Sequence, residues 1–275
     1  MIIADWLQEA TRELARQGTT SARLDTELIL AHTLKKSRTW LHAHNDQVLD
    51  ERSVDIADAR LELRKNHTPI AYIIGHKEFY GRQFKVTPAT LIPRPESEAV
   101  ITLLRQALEH RLTPLAPEDV YLIDVGTGSG CLGITAKLEW PALHVTLTDK
   151  STQALVVAKE NARRLHADIN FLHNDLLRGV SERVDCIIAN LPYVDRTWDV
   201  SRDTYAEPDM ALYAHHGGLA LINTLIAQSS ELLPQGGTLI LESDPRQHEA
   251  IIQEANRYNL THTATDGFAT LFSKD

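Results

Sequence analysis

Cys186-Ile187-Ile188-Ala189-Asn190-Leu191-Pro192-Tyr193 runs apolar for four residues, then stops on a carboxamide, a proline and an aromatic ring. A short apolar run with such an end reads as a strand buried on both faces, the pattern of a parallel sheet. Pro192 cannot continue the ladder, so the strand ends near Ala189. In an open α/β sheet, ligands gather outside the carboxyl ends of the strands. Asn190 and Tyr193 are therefore expected where chemistry occurs. The Asn190 side-chain carbonyl and the Leu191 backbone carbonyl can accept both hydrogens of a planar NH2 group, with the Tyr193 ring over its flat side. Such a clamp, completed by Pro192, would present an amide or amine nitrogen to an electrophile. An ordinary strand-to-loop turn competes with this reading, since Asn and Pro are common turn residues.

Outward from this stretch, strands and helices alternate. Strands are expected over 120–125, 143–148, 169–172, 184–189 and 237–242. Helices are expected after Gly130, after Asp149, over 219–233 and over 246–258. Residues 261–265 and 268–272 read as a closing antiparallel pair around Asp266-Gly267. The pattern predicts a Rossmann-like α/β fold with a doubly wound, mostly parallel seven-stranded sheet. Residues 194–217 are expected as a long, charged, irregular loop, a kind that is usually functional.

Upstream, residues 1–67 read as a small helical bundle. Trp6, Leu7, Ala10 and Leu14 recur at helical spacing before Gly18. Leu24, Leu28, Leu30, Ala31 and Leu34 give a second helix, and a later one over 50–65 is expected to turn Val54, Ile56, Ala57 and Leu61 inward. Residues 68–90 read as a β-hairpin linker, with strands over 70–74 and 79–86. The catalytic domain is expected over 91–275. It starts on a proline-stiffened path where Arg94 lies between Pro93 and Pro95.

The 275 residues are 43% hydrophobic and 24% charged, the composition of a globular chain, with no run long enough to span a bilayer. The N-terminus lacks the basic region of a signal peptide. Two cysteines outside any metal-ligand spacing fit a reduced, cytoplasmic protein. The 13 histidines are scattered, and no metal site is expected. A net charge of −9 argues against broad binding of nucleic-acid phosphates.

Leu122-Ile-Asp-Val-Gly-Thr-Gly-Ser-Gly130 joins a strand to a helix. Gly126, Thr127, Gly128 and Gly130 would let the backbone approach a ligand at an electropositive helix N-terminus. A dinucleotide and S-adenosylmethionine are the two realistic ligands. The dinucleotide fingerprint G-x-G-x-x-G/A would put its third position on Cys131, whereas an acid two residues before the first glycine, Asp124, matches the S-adenosylmethionine pattern. Asp149, ending the next strand, is placed for ribose hydroxyls, and Asp175, after the third, for an adenine amino group. Lys150 and Leu176 flank these acids and belong to the same expected site.

Asp124 to Gly130, Asn190 to Tyr193 and Leu91-Ile-Pro-Arg-Pro-Glu-Ser-Glu98 together resemble the glutamine methyltransferases of peptide-chain release factors, the HemK/PrmC family. The resemblance extends to Leu24-Asp-Thr-Glu-Leu28, Pro69 to Gly75 and Glu207-Pro208. It implies a class I methyltransferase fold and S-adenosylmethionine as cofactor. It also implies methylation of the Gln side-chain amide in the Gly-Gly-Gln loop of release factors, by a monomer. Cofactor contacts would fall on the Gly126 loop, Asp149 and Asn190, and the substrate clamp on Asn190 to Tyr193, and Arg94 and Glu207 are further expected substrate contacts. The chain departs from the family at Leu191, where the family reads proline, and in lacking an arginine near the last hairpin. Two alternatives stand beside this one: an amine methyltransferase acting on adenine or guanine of a nucleic acid, and a non-catalytic S-adenosylmethionine-binding protein.

Overall fold

The structure, a computed structural model, describes residues 1–110 and 120–275. The chain forms two compact units, one of residues 1–76 and 200–206, the other of residues 77–199 and 207–275.

The first unit holds helices α1 (Ile3–Arg16), α2 (Ala22–Leu34), α3 (Arg38–Ala43), α4 (Glu51–Lys65) and α5 (Ile70–Ile74). Ile3, Trp6, Ala10 and Leu14 make the buried face of α1. Ser37 caps α3 by accepting from the Trp40 amide, and Asp50 caps α4 by accepting from the Ser53 amide. Trp6 Nε1 donates to Asp58 Oδ1 at 2.7 Å, joining α1 to α4.

One expectation about an inward face fails, at Ile56 on α4. Leu24 is 42% exposed and Ile56 is 37% exposed. On α2 the outward position of Leu24 goes with a polar interior, since the helix turns Asp25, Thr26 and Glu27 inward. Arg64, 6% exposed, lies between Asp25 and Asp203, with 2.7 Å contacts to both. The α2 face is thus rotated toward a buried cation. The segment 200–206, a short 3-10 turn at Arg202–Ala206, belongs to this unit.

The expected hairpin is present, but its strands are β1 (His76–Phe79) and β2 (Arg82–Lys85). Residues 70–74, expected as a strand, form helix α5 instead. Pro69 occupies its N-cap, and Gly75 ends it in the left-handed region at φ +76°. These end signals outweigh the β-branched composition of the run.

The second unit continues with α6 (Glu98–His110), β3 (Tyr121–Val125), α7 (Cys131–Glu139), β4 (His144–Asp149), α8 (Thr152–Leu165), β5 (Asn170–His173) and β6 (Cys186–Ala189). It ends with α9 (Asp209–Leu212), α10 (Ala220–Leu232), β7 (Thr238–Glu242), α11 (His248–Arg257), β8 (Leu260–Asp266) and β9 (Ala269–Lys274). The expected loop 194–217 therefore carries the 3-10 turn and α9. The seven-stranded sheet has the order β5-β4-β3-β6-β7-β9-β8. β3 to β7 pair in parallel, and β9 is antiparallel to both β7 and β8.

Successive strand residues feed opposite cores. Leu122, Cys186, Ile188 and Ile240 pack with Leu104, Leu132 and Ala158 on one face. Ile123, Ile187, Leu239 and Leu241 pack with Ile222, Leu225 and Ile251 on the other. Burial on both faces explains the uninterrupted apolar strands. The sheet grows outward in opposite directions from β3 and β6, so the switch point, where ligands bind in such folds, lies between them. The register Val125↔Thr148 and Val125↔Ala189 brings the residues after β3, β4 and β6 out at one level.

Candidate active site

A cavity of about 500 Å3 opens at this switch point. Its lining includes Asp124, Gly126, Thr127, Gly128, Asp149, Lys150, Asp175, Leu176, Asn190, Leu191 and Pro192. The strand register thus gathers most of the residues singled out in the sequence. Gly130, Tyr193, Arg94 and Glu207 lie outside the lining.

Asp124 braces the glycine loop. Its Oδ2 accepts from Thr127 Oγ1 at 2.6 Å and from the Gly133 amide at 3.0 Å. Complete burial pushes its carboxyl up to about 6, against the pull of those two donors. Its Oδ1 has no hydrogen-bond partner. The loop itself runs through Gly126, Gly128 and Gly130 at φ +70°, +56° and +82°, the region that favours glycine. Asp149 grips the same loop: its Oδ2 accepts from the Gly128 amide at 2.9 Å and its Oδ1 from the Ser151 amide at 2.8 Å. Burial raises its pKa. Lys150 Nζ pairs with Asp175 Oδ2 at 3.1 Å across the outer wall.

Asn190 follows β6 and donates from Nδ2 to Ser97 Oγ at 3.2 Å. Its side-chain oxygen is thereby distinguished from its nitrogen. Leu191 is buried beside Gly126. The Tyr193 hydroxyl donates to Glu242 Oε1 at 3.3 Å, and burial raises the phenol pKa. Glu242, the last residue of β7, is 1% exposed, and burial pushes it up to about 7. Gln247 Nε2 donates to the Tyr193 carbonyl at 2.8 Å and to the Gly217 carbonyl at 2.7 Å, pinning the chain after Pro192. Tyr193 is therefore held by both its hydroxyl and its backbone.

Arg94 and Glu207, both expected to touch substrate, clasp each other. The Arg94 guanidinium pairs with Glu207 Oε1, while Oε2 accepts from the Ile92 amide at 2.9 Å. The clasp binds the proline-rich segment to the start of α9.

Ser97, Glu242 and Gln247 belong to the site but were not singled out in the sequence. Glu242 did carry a signal: it is an acid closing an apolar strand, as Asp149 is.

The residues present fit S-adenosylmethionine. A Cβ built on Gly128 would meet nothing within 4 Å, so open space adjoins the loop backbone there. The Asp149 carboxylate lies on the same wall. The cavity volume falls in the usual small-molecule range.

Residues 5–75 match the family model described as the PrmC N-terminal domain, and residues 102–207 match the methyltransferase small domain. The chain is 36% identical over 251 residues to a release factor glutamine methyltransferase of Koribacter versatilis, covering 88% of this chain and 86% of the relative. It is 34% identical over 256 residues to the protein of that name from Deinococcus radiodurans, covering 92% and 90%. Among solved structures, a methyltransferase from Pyrococcus furiosus superposes with a TM-score of 0.52 at 17% identity, over 79% of this chain and 97% of that one. That likeness supports the fold.

Proposed function

We propose, since the chain belongs to the family of release factor glutamine methyltransferases, that it methylates the side-chain amide nitrogen of Gln in the Gly-Gly-Gln motif of release factors. The methyl donor is S-adenosylmethionine, which supplies an electrophilic methyl group on a sulfonium centre. Gly126 to Gly128 and Asp149 would hold its amino-acid and ribose parts, and Asp175 with Leu176 its adenine.

One observation carries this reading: Asn190 lines the cavity with its Nδ2 committed to Ser97. The Asn190 Oδ1 and the Leu191 carbonyl then accept the two amide hydrogens of the substrate. An amide nitrogen is a weak nucleophile, and it gains positive charge as it is methylated. Each accepted hydrogen bond favours that charge by on the order of 1.5–3 kcal/mol. Orientation adds more, because the clamp fixes the direction in which the nitrogen lone pair points. Gln247 and Glu242 keep the clamp rigid through Tyr193. The extra proton on nitrogen passes to water after transfer.

In this reading the helical residues 1–67 recognise the release factor, and the protein acts as a cytoplasmic monomer. No helix among the described residues is long and apolar enough to cross a membrane. A nucleic-acid base is the less favoured substrate, given the net charge of −9. The test is incubation with S-adenosylmethionine and an unmethylated release factor, followed by peptide mass spectrometry. One added methyl on the Gly-Gly-Gln peptide is expected, and none with Asn190→Ala. Methylation of RNA with no modification of the peptide would overturn the proposal.

A further inference from the structure

We propose that Glu242 is a positioning residue that sets, through Ser97, which end of the Asn190 carboxamide faces the substrate nitrogen. The inference rests on the reading of Asn190 as the amide clamp. Its basis is geometric. Ala189 pairs with Leu241, so Asn190 and Glu242 leave neighbouring strands side by side. Ser97 accepts from Asn190 Nδ2 at 3.2 Å, and Tyr193 donates to Glu242 Oε1 at 3.3 Å. Glu242 Oε2 is buried and takes no hydrogen bond in the resting geometry. Ser97 and Asn190 lie close enough to this carboxyl to lower its pKa, as Tyr193 does.

A serine hydroxyl has one proton to give. An ionised carboxylate only accepts, so beside ionised Glu242 the Ser97 proton turns to it. Ser97 Oγ then offers only lone pairs to Asn190, and only the NH2 end of the carboxamide can use them. The Asn190 carbonyl is left for the substrate. Protonated Glu242 becomes a donor and frees the Ser97 proton for the Asn190 carbonyl. The carboxamide can then turn over and show its NH2 to the NH2 of the substrate, which is repulsive.

Among the described residues, Glu96, Tyr193 and Cys131 are the titratable groups whose charge couples to Glu242. Glu96, on the turn before α6, raises its pKa by charge repulsion. Tyr193 and Cys131 are both neutral near pH 7, since burial raises the phenol and pushes the thiol up to about 12. Its register neighbour on β9 is Ala269. Burial places the Glu242 carboxyl at about 7, so the productive, ionised form is gained as pH rises through neutrality.

The test follows the Asn190 side-chain amide by 15N–1H NMR from mildly acid to mildly alkaline pH, assigned by its loss in Asn190→Asp. Wild-type protein, Glu242→Gln and Ser97→Ala are compared, with kcat and S-adenosylmethionine affinity measured alongside. The wild-type amide resonances are expected to titrate near neutrality, and those of both variants to stay flat. Glu242→Gln should lower kcat roughly 10- to 100-fold and lose the acid limb of the rate profile, with cofactor affinity unchanged. Flat wild-type resonances would overturn the proposal. So would a Glu242→Gln protein that loses cofactor affinity and melting temperature in step with kcat, because the role would then be structural. If the resonances titrate while wild-type protein leaves the Gly-Gly-Gln peptide unmodified, the positioning role stands and the substrate assignment falls.

Discussion

A Cβ on Gly126 would lie 2.8 Å from Leu191 Cδ2, so the glycine loop and the amide clamp share one packed contact. Gly126→Ala also forces an L-residue to φ +70°, at a cost of roughly 1–2 kcal/mol. The variant is expected to lose about tenfold in cofactor affinity by calorimetry and to melt at lower temperature. The double variant Gly126→Ala, Leu191→Ala should recover part of that loss, with a coupling of about 0.5–3 kcal/mol in a double-mutant cycle. Strict additivity would show that the contact has no energetic weight.

Asn190→Ala should reduce kcat by roughly 100-fold or more while cofactor affinity changes only a few-fold. Single-turnover kinetics with an unmethylated release factor separates the two quantities. A kcat within a few-fold of wild type would remove Asn190 from the chemistry.

Much of this site is legible in the sequence, because strand-end residues follow directly from apolar runs. Asp149 and Asn190 each follow such a run, and the register delivers both to one cavity. Ser97 and Gln247 are not legible that way. Each reaches the clamp over a long chain separation, Ser97 to Asn190 and Gln247 to Tyr193, which no local spacing encodes. The helix at 70–74 was missed because two end residues outweighed five apolar ones. The polar inward face of α2 is not legible either, because it depends on Arg64, which meets Asp25 from a different helix.

Asp124 gives a pH signature for stability. Its folded pKa, about 6, lies above the ordinary carboxylate value, so the folded state holds the proton more tightly than the unfolded chain. The benefit is full below the unfolded pKa and is lost as pH rises through about 6. The loss is on the order of 2–3 kcal/mol for a shift of this size. Urea midpoints of wild type and Asp124→Asn, compared at weakly acid and neutral pH, should differ more at neutral pH, in favour of the variant. A constant difference would refute the elevated pKa.

Arg64→Ala should destabilise the helical unit by about 3–5 kcal/mol, because Asp25 would remain buried without its partner. Removing both charges, as Arg64→Met with Asp25→Leu, is expected to restore most of that stability. Chemical denaturation reads both. Equal losses in the single and double variants would show that the charge pair is not the cause.

The excursion of residues 200–206 has a consequence for dissecting the molecule. The polypeptide visits the helical unit twice, and the second visit is secured by Asp203 on Arg64. The unit is therefore not a continuous segment of chain, and no single cut releases it whole. A fragment ending at residue 76 would keep Arg64 but surrender one of its two carboxylates. The complementary fragment would carry Asp203 with no guanidinium to meet it. Mixing the two halves in trans should accordingly give an assembly held partly by charge, weakened by added salt, where the covalent protein is not.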